Sequence, residues 1–125
     1  MQVTRLRHHE AVRLNADRMT AICRDQGTDA GEVAICKAME DIAVMLAQAD
    51  AAWRRGERTH LRRHATSVTV AAAELGMPDL VRVAQDICGI CCRYDDAALA
   101  AVVARLGRLG EGSLLAVLEA EPQFE

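Results

Sequence analysis

Apolar positions recur at steps of four and three along most of the chain, the spacing of one face of an α-helix. Val12, Ala16, Met19 and Cys23 form the first such run and predict a helix over residues 3 to about 24. Residues 25–29 end it, with Gly27 suited to a left-handed turn. Asp29 and Glu32 then resemble a capping box with Asp29 as the cap. A long second helix follows to about residue 55, with Ile35, Met39, Ile42, Leu46, Ala49 and Trp53 as its seam and Gly56 as its breaker. The third helix spans residues 59–75. It turns Leu61, Ala65, Val68, Ala72 and Leu75 inward and stops at Gly76.

Pro78 opens a fourth helix to about residue 93, because a first helical turn accepts proline. Leu80, Val83, Ala84, Ile87 and Cys91 face inward from it. Residues 94–96 form a turn, with an aspartate capping a fifth helix that carries Leu99, Val102, Val103 and Leu106. Gly110, Glu111 and Gly112 predict a break, after which Ser113 caps a last turn through Leu118.

No alternating strand pattern competes with these runs. Short connections imply antiparallel neighbours. The expected fold is therefore all-α: an antiparallel up-and-down four-helix bundle with an additional N-terminal helix. Residues 1–28 are expected as a helical arm, 29–121 as the bundle and 122–125 as a disordered tail. The arm would lie on the bundle or pair with a second copy, so a homodimer enters as one expectation.

Composition sharpens this picture in three places. Aromatic residues make up only 2% of the 125 residues, so alanine, leucine and valine must fill the core. That suits closely spaced helices. The net charge of −3 and the single Trp and single Tyr argue against nucleic acid as a partner. No apolar run has the length of a membrane span, so no membrane role is expected. Five cysteines, an odd number, exclude a complete disulfide framework, and a reducing cytoplasm is the expected compartment.

Three groups of residues have the types and spacing for chemistry. Cys88, Cys91 and Cys92 lie within one helical turn and could hold a metal or form a redox pair. Equally, they are small apolar residues in a packed helix. His60 and His64 stand four apart, a spacing that can share a metal, which leaves a metal-binding bundle as one alternative. No further histidine is supplied by helices two, four or five, and the expectation is no metal and no cofactor.

The third group is the run from Gly56 to Gly76. Gly56-Glu57 at the start, then Leu61, the Leu75-Gly76 stop and a following helix with Leu80 and Ile87, resemble the central helix of a histidine-containing phosphotransfer (HPt) domain. The resemblance covers roughly residues 38–118. It implies a phosphorelay protein of two-component signalling, with a response-regulator receiver domain or a histidine kinase as partner. Aligned on Leu61 and Leu75-Gly76, however, the acceptor position holds Thr66, and the following lysine and glycine positions hold Thr69 and Val70. Threonine cannot carry phosphate reversibly as an imidazole does. His64, two residues and about 200° away around the helix, is the one alternative acceptor.

Helical phase gives an independent reading of the same stretch. With the seam inward, Arg62, Thr66, Thr69, Val70 and Ala73 point outward, and Arg63 lies beside them. Apolar residues on an outward strip beside arginines read as a docking surface. The expectation is thus an HPt-like binding protein that carries no phosphate itself, and not an independent enzyme, with transfer through His64 left open. The alternative is a helical adaptor or dimerisation module.

Overall fold

Glycine turns and polar caps divide the chain into helices, and the computed structural model describes residues 15–93 and 95–120. Five helices follow in order: α1 (Ala16–Gln26), α2 (Thr28–Arg54), α3 (Arg58–Leu75), α4 (Pro78–Ile90) and α5 (Asp96–Ala120). No strand occurs among the described residues. None of the described helices is long and apolar enough to cross a membrane.

The C-terminal ends of α2 and α3 share one construction. At the end of α3, Gly76 takes a left-handed conformation with φ +73° and ψ +48°. Its N–H donates to the Ala73 carbonyl at 3.2 Å, and the Met77 N–H donates to the Ala72 carbonyl at 3.0 Å. This is a Schellman end, in which two otherwise unpaired carbonyls are satisfied. The residues at the two apolar positions of that motif, Met77 and Ala72, are both wholly buried. At the end of α2, the Gly56 N–H reaches the Trp53 carbonyl and the Glu57 N–H reaches the Ala52 carbonyl, repeating the motif.

The seams fill one core. All five seam positions of α3 (Leu61, Ala65, Val68, Ala72 and Leu75) are buried, as are Leu80, Val83, Ala84 and Ile87 of α4. On α2, Ile35, Met39, Ile42 and Ala49 are buried, and Leu46 and Trp53 pack partly buried against them. Helix α2 packs against α3, α3 against α4, α4 against α5, and α5 back against α2. Helix α1 lies on α2 and touches α3.

Four local expectations are corrected. The first described helix begins at Ala16, where Asn15, with extended backbone, caps α1 by accepting at its side-chain oxygen from the Arg18 N–H at 3.1 Å. Residues 1–14 lie outside the described residues. Residues 25–26 belong to α1, and Gly27 alone connects α1 to α2. Asp29 is therefore no cap: the Gly27 carbonyl already accepts from the Gly31 N–H at 2.7 Å, so α2 starts at Thr28. Helix α4 ends at Ile90, leaving Cys91 as the first residue beyond it.

The expected break at residues 110–112 is also absent. Helix α5 runs uninterrupted to Ala120, and Ser113 lies within it. A Cβ added at Gly110 would sit 2.6 Å from Leu46 Cδ1. At that glycine the Leu46 side chain of α2 reaches the backbone of α5. The aspartate cap of α5 is Asp95, whose carboxylate accepts from the Ala98 N–H at 3.0 Å. The tail expected at 122–125 lies outside the described residues.

Candidate functional site

The outer face of α3 divides into two surfaces, one toward α1 and α2 and one toward the end of α4. On the first, α1 contributes Arg18 and Ile22, α2 contributes Ala38 and Met45, and α3 contributes Val70 and Ala71 to a groove of about 700 Å³. Val70 is 57% exposed, a large share for a valine on a helix that packs on two sides. Leaving that apolar surface in water forgoes burial worth about 25 cal/mol per Å². The groove is edged by charge, with Arg18, Asp41 and Glu74 in its wall.

Helix α1 is pinned along this groove by α3. The Asn15 N–H donates to the Gly76 carbonyl at 2.8 Å, and Arg18 Nε donates to the Glu74 carbonyl at 2.7 Å. The last carbonyls of α3, which have no partner within the helix, thus receive donors from α1. A Cβ added to Gly31 would lie 2.4 Å from Cys23 Cα, so α1 and α2 touch backbone to backbone at that point.

The second surface holds the candidate chemistry. Thr66, at the position where the resembling family places its acceptor histidine, donates its hydroxyl to the Arg62 carbonyl one turn back at 2.9 Å. Its Oγ1 also lies 3.4 Å from Cys88 Sγ on α4. Cys88 Sγ is itself 3.8 Å from the Arg62 carbonyl. Arg58 pairs with Asp96 of α5. Burial pushes the Cys91 thiol above its ordinary range, and Cys88 and Cys92 push the same way, whereas Arg58 and Arg62 oppose the shift. The N-terminal half of α3 and the end of α4 thus form one polar cluster of arginines and thiols.

The sequence-selected residues distribute unevenly over this geometry. Arg62, Arg63, Thr66, Val70 and Ala73 are exposed. Thr69 is only half-exposed and returns its hydroxyl to the Ala65 carbonyl at 3.0 Å, so it belongs to the margin of the strip. His64 is half-buried beside the seam, one turn from the exposed His60, whose Nδ1 lies 2.8 Å from Glu57 Oε2. No group of three or more His, Cys, Asp or Glu side chains converges on a metal position among the described residues. The groove wall on α1 and α2 escaped sequence reading. Nothing in the order of residues says that Ile22 and Met45 face Val70. A scan of the chain against protein-family models, curated proteins and solved structures finds no match.

Proposed function

We propose that the chain is an HPt-like docking protein of two-component signalling, binding a receiver or histidine-kinase domain through the outer face of α3 without carrying phosphate. The observation that carries this is the exposed strip of Val70 and Ala73 on α3, with Arg62 and Arg63 on the same helix about two to three turns back. Apolar residues beside cations suit a partner whose contact surface is apolar with acidic groups at its margin. The mutual packing of α2, α3, α4 and α5 supports an up-and-down bundle of the kind the resemblance implies. The one- to five-residue connections between helices favour antiparallel neighbours. Thr66 supports the non-carrying role, since its hydroxyl is already engaged by Arg62 and Cys88.

Titration of the protein with receiver and kinase domains encoded beside it tests the reading. We expect binding that Val70→Arg abolishes, with no phosphate passed from a phosphorylated receiver. Phosphate transfer that disappears in His64→Ala would overturn the non-carrying role. Equal binding by Val70→Arg, or no binding to any such domain, would overturn the docking face. The adaptor reading draws on a separate observation, the 68% and 56% exposure of Val33 and Val44 on α2. Light scattering that returns a dimer, lost on replacing both valines by Glu, would favour it.

A further inference from the structure

The residues Cys88, Gly89, Ile90, Cys91 and Cys92 close α4, and the receiver-docking reading makes no use of their thiols. Cys88 sits in the last turn, and Cys91 follows it with its N–H still donating to the Ile87 carbonyl at 2.9 Å. The helical path therefore carries through both. Both are half-buried and pack against the hydrophobic core, and all three cysteines are free thiols. A step of three residues on a helix separates Cβ atoms by about 5–6 Å, and a disulfide needs about 3.5–4.5 Å. The excess is about 1–2 Å, and it falls at the C-cap of α4, where a helix end frays most readily. Between them, Gly89 stands where an added Cβ would meet nothing within 4 Å. No packing demand asks for glycine there, and glycine weakens the turn that must adjust by roughly 1 kcal/mol.

We propose that Cys88 and Cys91 form a reversible dithiol–disulfide site that exchanges with low-molecular-weight disulfides of the glutathione kind. The Cys88 thiolate attacks one sulfur of the small disulfide, whose S–S bond breaks. One small thiolate leaves and takes up the proton that Cys88 released. Cys91 then loses its proton and attacks Cys88 Sγ in the mixed disulfide, which expels the second small thiolate to be protonated in turn. Two protein thiols are oxidised and one small disulfide is reduced to two thiols. Burial and the neighbouring thiols hold the Cys91 proton on, and Arg58 and Arg62 offset part of that cost when Cys91 ionises at the resolving step. Closure draws Cys88 Sγ away from the Thr66 hydroxyl and the Arg62 carbonyl that it touches in the reduced protein. The site stands independently of any receiver partner.

Equilibration of the full chain with reduced and oxidised glutathione at graded ratios, followed by acid quench and mass analysis without reductant, tests it. Arg82 and Arg93 bracket all three cysteines, so one tryptic fragment reports on them and variants assign the pair. The fragment should become lighter by two hydrogens in the wild type and in Cys92→Ser, where the altered residue is exposed and the fold is not at risk. In Cys91→Ser that loss should vanish, with a glutathione adduct on Cys88 in its place. A wild-type fragment bearing only glutathione adducts would overturn the proposal. So would one still fully reduced at ratios that modify the exposed Cys36, or a crosslink lost in Cys92→Ser.

Discussion

At its C-terminal end α3 is held chiefly through backbone: the Gly76 carbonyl accepts from the Asn15 N–H and the Met77 N–H closes the turn onto Ala72, with one side chain, Arg18, donating its Nε to the Glu74 carbonyl. At its N-terminal end the same helix is held by side chains, with Arg58 against Asp96 and Arg62 beside the thiols at the end of α4. Backbone contacts depend on conformation and are indifferent to salt, pH and redox state. Ion pairs and thiols respond to all three. One helix thus has a fixed end, to which α1 is clasped, and an adjustable end, which faces the thiols at the end of α4. A partner docking near Thr66 would meet the adjustable end on a helix anchored at the other.

The largest effect is expected where the fixed end is broken. Gly76→Ala places a Cβ on a residue with φ +73°, 2.6 Å from Asn15 Cβ and 3.0 Å from Arg18 Cβ. Left-handed strain costs on the order of 1 kcal/mol or more, and the clash forces α1 outward at a further cost of about 1–3 kcal/mol. Urea denaturation should show a loss of roughly 3 kcal/mol in total. Hydrogen exchange should show the backbone N–H of Asn15 newly exposed. A loss no larger than the left-handed strain alone, about 1 kcal/mol, would mean that α1 is not clasped there.

A smaller effect belongs to the adjustable end. Asp96 is 76% exposed and Arg58 29%, so water reaches their pair from the Asp96 side. Exposed pairs contribute about 0.2–1 kcal/mol, screened further by salt. A double-mutant cycle of Arg58→Gln and Asp96→Asn, which removes the separate effect of Asp96 on the start of α5, should return a coupling in that range at low salt. It should fall toward zero in molar salt. A coupling that persists at high salt would show the two ends of α3 to be held alike.

The same contrast explains what the sequence could disclose. The α3 seam was legible to the residue, because Leu61, Ala65, Val68, Ala72 and Leu75 keep one period between two clear stops and all five are buried. The close approaches were not legible. Gly110 and Gly112 read as a break because their composition is that of a turn. Only the position of Leu46 opposite Gly110 shows that contact, and it comes from packing between α2 and α5. Asn15 was missed as a cap because the apolar spacing from Val12 to Cys23 runs through it unbroken. The thiol spacing at 88, 91 and 92 was plain in the chain, but the arginines beside it come from α3, some thirty residues earlier in order and adjacent only in the fold. Thr66 was recognisable by alignment, while its contact with Cys88 depends on how α4 lies against α3.

The smallest effect tests which force dominates at the adjustable end. Burial raises the Cys91 thiol above the ordinary cysteine value of 9.0, while Arg58 and Arg62 oppose it. A thiol raised in the folded state holds its proton after the unfolded chain has released it. Below the unfolded value both states are protonated and the contribution of Cys91 to stability is fully present. As pH rises past that value the unfolded chain binds fewer protons than the native one, so stability falls, until the native thiol ionises as well. The difference in urea midpoint between wild type and Cys91→Ser should therefore shift against the wild type as pH climbs from neutral to above the ordinary cysteine value. Iodoacetamide should likewise modify Cys91 more slowly than the exposed Cys92 at neutral pH, with the gap narrowing as pH rises. A midpoint difference that moves in favour of the wild type would show that attraction to Arg58 and Arg62 outweighs burial. The adjustable end would then be poised to hold a thiolate, where burial alone would keep the thiol protonated.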